Sequence, residues 1–345
     1  MDEGPFRLGT RGSKLAKRQA NTVKRALADH RYDVELVEVS TTGDELNDAL
    51  IHRLGKTGAF VRELDERVLD GELDAAVHSM KDMPTDMPAE LIVAATPERR
   101  LPHDVLVSPT GLSIDELPAG ATIGTGSLRR QAQLARLRDD IEVEPVRGNI
   151  DTRLEKLLGP HLRAEREELT EQEAEEWLEE RSSLEKRALE RETTSTYDAL
   201  VLAAAGLERA DLADEVGTTQ LPIEACVPAP GQGALAITMR DTEQAERINQ
   251  LLDHPPTRVA TTVERMILAG VGGGCIAPIG VTAIVQGEIV NTRVQVLSLD
   301  GAEVVTATRD LPVETYPTAV DSLIDELRNQ GADELIASAV ADQHE

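Results

Sequence analysis

Residues 271–280 read Val-Gly-Gly-Gly-Cys-Ile-Ala-Pro-Ile-Gly and present Cys275, one of only two cysteines, on a stretch that almost no side chain obstructs. Three consecutive glycines cost backbone entropy and serve where φ turns positive or another group must come close. Cys275 therefore reads as chemically accessible. The alternative is a helix ended by a glycine C-cap, with a cysteine that merely follows; this stretch alone favours neither. A second reactive candidate lies in residues 73–84, Leu-Asp-Ala-Ala-Val-His-Ser-Met-Lys-Asp-Met-Pro. A short apolar strand that ends in Lys-Asp-Met-Pro places charge at a strand's carboxyl end, where open α/β sheets bind ligands. Asp82 is thus the strongest single carboxylate, although an Asp before Pro also serves as a turn residue or as the partner of Lys81.

Cationic candidates cluster at two strand-to-helix turns. In residues 122–131, Thr-Ile-Gly-Thr-Gly-Ser-Leu-Arg-Arg-Gln, a dinucleotide fingerprint begins, but Arg129 stands at its third glycine and the NAD reading fails. Ser127 instead caps a helix whose first turn carries Arg129 and Arg130, against the helix dipole. A local rule broken without local gain often marks a site. Arg147 precedes and Arg153 lies within a second such helix. Four arginines so placed in a chain of net charge −27 point to a polyanion, and bidentate pairing suits carboxylates at least as well as phosphates. Salt bridges to the abundant acidic residues are the alternative for any one of them.

These residues need elements to hold them. Residues 6–10 and 34–39 read as strands, and Leu15, Ala16, Ala20, Val23 and Leu27 recur at helical spacing between them. Ser13 stands where an N-cap belongs, and free N–H groups there bind anions, or simply begin an ordinary helix. Gly55-Lys56-Thr57 is not a phosphate loop, because Leu50 occupies the required glycine position. Phe60, one of two phenylalanines, is either a lid residue or the anchor of the helix over 61–69. Further strands are expected over 91–95, 105–107, 141–146, 197–203 and 234–239, the last returning to the first lobe. Three strands without intervening helices (279–285, 289–297, 303–308) and two closing helices (316–329, 332–342) indicate a separate α+β domain.

Composition bounds the rest. The 345 residues suggest two or three domains. No signal peptide, membrane span or zinc pattern is expected, and two cysteines suit a reducing cytoplasm. With 63 acidic against 36 basic residues, only 7 of the latter Lys, the surface repels nucleic acid and anionic membranes. It would also repel itself unless screened, which suggests adaptation to high intracellular salt. Between His161 and Glu192 stand 12 Glu against 5 Arg and 1 Lys, with a capping box at Thr170-Glu171-Gln172-Glu173 and a thin apolar stripe. An exposed helical excursion carrying the only tryptophan is the reading, with a solvated hairpin or partly disordered segment as the expectation there.

Taken together, residues 10–13, 78–84, 124–131, 147–154, 228–233 and 272–280 resemble porphobilinogen deaminases, in order and over nearly the whole chain. The resemblance implies an α/β fold of two doubly wound, periplasmic-binding-protein-like lobes with a small α+β C-terminal domain built on a three-stranded antiparallel sheet. Residues 1–100 with 234–253 would form the first lobe and carry the catalytic Asp. Residues 101–233, with an acidic insertion at about 155–196, would form the second, and 254–345 would carry the cofactor cysteine. It implies a transferase of porphyrin and haem biosynthesis that joins four porphobilinogen molecules head to tail into hydroxymethylbilane, releasing ammonia, on a dipyrromethane cofactor thioether-linked to Cys275. Asp82 matches the catalytic residue. Lys81, Ser127, Arg129 and Arg130 match cofactor-binding positions, and Arg11, Ser13, Arg147, Arg153 and Arg209 match substrate-binding ones. Phe60 matches the lid aromatic. No metal, nucleic acid or membrane partner is implied, and a cytoplasmic monomer is expected. This chain departs from the pattern at Gly126, commonly Ser, and at Thr57, where the lid has lysine; Lys56 stands one place earlier. A two-lobed polycarboxylate binder without chemistry is the competing class, and it would need neither Asp82 nor Cys275.

Overall fold

The computed structural model describes residues 4–39, 59–193, 195–272 and 277–341. The candidate residues Cys275, Lys56 and Thr57 lie outside them, as does the side chain of Phe60. The described residues divide between two compact units, one within Met1–Pro102, Val227–Ser298 and Ala302–Glu345, the other His103–Cys226 with Leu299–Gly301.

The first unit opens with β1 (Phe6–Arg11), α1 (Lys14–Asp29), β2 (Val34–Val39), α2 (Ala59–Leu69), β3 (Ala75–Ser79), a 3-10 turn (Met80–Asp82) and β4 (Leu91–Ala95). β1 runs parallel to β2 and β3. The apolar stripe of α1 at Ala20, Val23 and Leu27 packs on one face of the sheet, and Leu64 and Val68 of α2 on the other. Covering both faces is why Ala75, Ala76 and Val77 of β3 are apolar in succession rather than in alternation.

The second unit contains β5 (Asp104–Ser108), β6 (Thr122–Gly124), α3 (Leu128–Leu137), β7 (Glu142–Glu144), α4 (Ile150–Glu167), α5 (Glu171–Glu180), α6 (Ser183–Glu190), β8 (Ala199–Ala203), α7 (Ala204–Arg209) and β9 (Gly217–Gln220). Its sheet has the order β7-β6-β8-β5-β9. β6 is parallel to β7 and β8, and β5 is antiparallel to β8 and β9. The polar β9, Gly-Thr-Thr-Gln, shows no alternation and is not foreseen from sequence.

The acidic excursion is helical and doubles back, as expected, but it is neither disordered nor wholly solvated. Instead of loosening at residue 155, α4 continues to Glu167, and α6 folds back on it with Leu184 and Ala188 both 0% exposed. Buried Glu155 accepts from Arg187 at 2.9 Å and also from Arg191, so the return is tied by charge as well as by apolar burial. Only α5 remains without a buried residue; Arg181 stacks over its Trp177, 4.8 Å from the ring centre.

The chain then re-enters the first unit. β10 (Leu235–Arg240) lies antiparallel between β3 and β4, completing the order β2-β1-β3-β10-β4. After α8 (Glu243–Leu252), α9 (Pro255–Val271) leads to β11 (Ile279–Gln286), β12 (Ile289–Leu297) and β13 (Val304–Pro312), then α10 (Tyr316–Asn329) and α11 (Ala332–Ala341). The last three strands form the expected antiparallel sheet, whose apolar face is buried under Val263, Ile267, Val320, Leu323 and Ile336 of those helices. Glu264, 0% exposed, accepts hydrogen bonds from the backbone N–H groups of Gly231 at 2.6 Å and Ala283 at 2.7 Å.

Candidate active site

In the first unit, parallel β1 and β3 are neighbours, so their carboxyl ends, Arg11 and Ser79, open on the same sheet edge. Ser13 caps α1, accepting from the Ala16 N–H at 3.2 Å. Beyond β3, Met80 and Met83 are buried and act as pegs on either side of the turn. The turn therefore turns Asp82 out to solvent, with Lys81 half-buried beside it. Its backbone is held by Met80 N–H donating to the Ala234 carbonyl at 3.0 Å and Met83 N–H to the Met80 carbonyl at 3.2 Å. Among the described residues the Asp82 carboxylate has no hydrogen-bond partner.

Behind the turn, buried His78 places Nε2 2.9 Å from Asp65 Oδ1 and 3.2 Å from Thr238 Oγ1, and Thr238 donates to the same Asp65 oxygen at 2.7 Å. This triad joins α2, β3 and β10 behind the turn that carries Asp82. Gly231 sits against the turn with φ +75°, where a Cβ would come within 2.7 Å of Met80 Cγ and 3.1 Å of the Lys81 nitrogen. Only glycine fits, because the sign of φ and the close approach both exclude a side chain.

In the second unit, β6, β7 and β8 are parallel, and the segments leaving their carboxyl ends carry Ser127, Arg147 and Arg209. Ser127 caps α3, accepting weakly from the Arg130 N–H at 3.5 Å. Arg129 and Arg130 are buried and share one carboxylate: Arg129 donates to Asp104 Oδ2 at 2.8 Å and Arg130 to Oδ1 at 2.7 Å. Arg129 also donates to Gln133 Oε1 at 2.7 Å, and Arg130 to the Val201 carbonyl at 3.0 Å. Burial alone would raise the Asp104 carboxyl, but the charges and hydrogen bonds of both arginines outweigh it and hold it well below the usual carboxylate range. Sequence reasoning missed Asp104. Its only signal was a carboxylate opening a buried strand, which demands a partner.

Arg153 adds a further positive charge near this pair. It donates to the Gly148 carbonyl at 2.7 Å, and among the described residues no carboxylate pairs with it. Burial, and then the nearby charge of Arg130, push its guanidinium down from 12.5 to about 10. A Cβ on Gly126 would stand 3.5 Å from the terminal nitrogen of Arg153, so the glycine leaves room beside it. Arg129, Arg130 and Arg153 are thus gathered near the capped start of α3, whereas Arg147 is exposed and Arg209 half-buried at the end of α7.

An arginine-lined α/β sheet edge with uncompensated positive charge defines a ligand-binding α/β protein suited to a multiply charged anion. The family model described as "Porphobilinogen deaminase, dipyromethane cofactor binding domain" matches residues 6–165 and 169–248. A probable porphobilinogen deaminase of Halobacterium salinarum is 45% identical, covering 98% of this chain and 99% of its own. One of Methanococcoides burtonii is 38% identical (97% of each chain), and the porphobilinogen deaminase of Brevibacillus brevis is 38% identical (99% and 100%). The chain belongs to the porphobilinogen deaminase family. It is a transferase of tetrapyrrole biosynthesis with a dipyrromethane cofactor. The donor set fits that group, since a molecule bearing several carboxylates supplies an anion to Arg153, which no described carboxylate pairs with, beside the paired Arg129 and Arg130.

Proposed function

We propose that the chain joins four porphobilinogen molecules head to tail into hydroxymethylbilane, releasing one ammonia per unit, and that Cys275 anchors the dipyrromethane by a thioether. The observation that carries this reading is Arg153, whose guanidinium pairs with no carboxylate among the described residues and stands near the charge of Arg130, in a protein of net charge −27. A guanidinium without a described carboxylate partner against such a background is suited to carboxylate side chains on a growing oligomer.

Ser127, Arg129, Arg130 and Lys81 would hold the cofactor's carboxylates, and Arg11, Ser13, Arg147, Arg153 and Arg209 those of substrate and extended chain. When bound, the cofactor supplies the pyrrole carbon to which the first substrate is joined. Asp82 does the protein's own chemistry. Its carboxylate faces the substrate nitrogen, stabilises the cation that remains when ammonia departs, and takes up the proton released after the new carbon–carbon bond forms. Among the described residues it has no competing hydrogen bond to break first. Phe60 would close over the site as a lid.

In this reading residues 1–100 with 234–253, 101–233 and 254–345 act as three domains of a cytoplasmic monomer. Sedimentation at twice the chain mass would reject the monomer. For the chemistry, intact-protein mass spectrometry should show a dipyrromethane adduct that maps to Cys275, with colour on treatment with an aldehyde reagent in acid. Cys275→Ala should lose both, and Asp82→Asn should keep the adduct while losing nearly all turnover. Active protein with an unmodified Cys275 would overturn the assignment, and a fully active Asp82→Asn would favour a carboxylate elsewhere.

A further inference from the structure

The helix that runs toward Cys275 also grips the turn that carries Asp82. Arg265, half-buried on α9, donates from one terminal nitrogen to the Met83 carbonyl at 3.2 Å and from the other to the Pro84 carbonyl at 2.6 Å. These carbonyls follow Asp82 directly. The preceding residue, Glu264, binds the N–H of Gly231, and Gly231 lies against Met80 on the turn's other side. Consecutive residues of one helix thus fix the turn from two directions.

This matters because no described side chain positions the Asp82 carboxylate, so its place is set by the backbone. We propose that Arg265 is a positioning residue, whose planar guanidinium clamps the Met83 and Pro84 carbonyls and so sets where Asp82 stands. The proposal rests on Asp82 being the reactive carboxylate. A point charge does not reproduce a planar fork, so Arg265→Lys should fall between wild type and Arg265→Ala. A cavity of about 270 Å³ adjoins Arg265, bordered also by Met80, Thr85 and Met266. Removing the side chain enlarges it, so that a free guanidinium ion can enter.

The test uses cofactor-loaded protein. Arg265→Ala should keep its cofactor by intact mass and keep KM within about twofold while kcat falls about ten- to a hundredfold, the scale of a slightly misplaced catalytic group. Amide exchange over residues 79–84 should quicken. Millimolar guanidinium chloride should restore turnover and exchange protection together, where equal potassium chloride does not. Unchanged kcat, or a loss with unaltered exchange and no guanidinium rescue, would overturn the proposal. If Arg265→Ala gives no folded protein, Arg265→Lys decides by the same measurements, with wild-type turnover and exchange counting against it. Asp82→Asn run in parallel separates the two ideas. Activity there defeats the assignment of the carboxylate; inactivity beside an unimpaired Arg265→Ala defeats only the clamp.

Discussion

Arg99 and Glu264 form a two-pronged buried ion pair across 165 positions of sequence, with nitrogen–oxygen separations of 2.7 and 3.1 Å. Because Glu264 also holds the N–H groups of Gly231 and Ala283, its loss takes the acceptor from both terminal nitrogens of Arg99 and from two amides. Glu264→Ala should cost about 3–5 kcal/mol in denaturant melts. A cost near that of a surface pair, under about 1 kcal/mol, would contradict the arrangement.

Asp104 makes the second unit acid-sensitive. Its folded carboxyl titrates below its ordinary value of 3.8, so the stabilisation is complete above that value and is lost as pH falls through the lower, folded one. Urea melts from about pH 6 down to about pH 2 should show stability declining once the unfolded carboxyl begins to protonate. Asp104→Asn should be less stable at neutral pH and should lack that part of the decline.

Arg153 should trade stability against binding. Replacing it by Leu removes a cation that Arg130 repels, so the thermal midpoint should not drop, while KM should rise about tenfold or more from a lost charged contact. A lower midpoint with unchanged KM would assign Arg153 a structural role instead.

The two thiols should behave differently. Burial, with the charge of Asp104 adding, pushes the Cys226 thiol up to about 12. A disulfide reagent at neutral pH should therefore leave Cys226 untouched in native protein and modify it after unfolding. Cofactor-free protein should show one fast thiol, Cys275, which disappears on loading. Fast labelling of Cys226 would disprove its burial.

High salt should stabilise the chain. With 63 acidic residues against 36 basic ones, the thermal midpoint should climb from dilute buffer into molar potassium chloride. A midpoint independent of salt would count against a surface adapted to high salt.

Much of the scaffold was readable from local pattern. Ser13 and Ser127 announced the caps of α1 and α3, and the spacing of Ala20, Val23 and Leu27 gave the buried stripe of α1. The candidate residues stood out because arginines in a helix's first turn and an aspartate before proline break local rules. What stayed hidden depends on distant partners. Asp104 looks ordinary until Arg129 and Arg130 arrive 25 and 26 positions later, and Arg265 is one more polar residue of a helix until the Met83 and Pro84 carbonyls meet it. The packing of α6 on α4 was missed because its stripe is narrow, two buried residues helped by the charge of Glu155.

The position of β10 bears on how the molecule is made. A strand from residues 235–240 lies in the interior of a sheet whose other members all come from the first hundred residues. On the ribosome, the amino-terminal portion emerges with a gap between β3 and β4, and it must wait with two strand edges unpaired while the contiguous unit His103–Cys226 is translated and can close on itself. The nascent protein should therefore gain protease resistance in its middle third before its beginning.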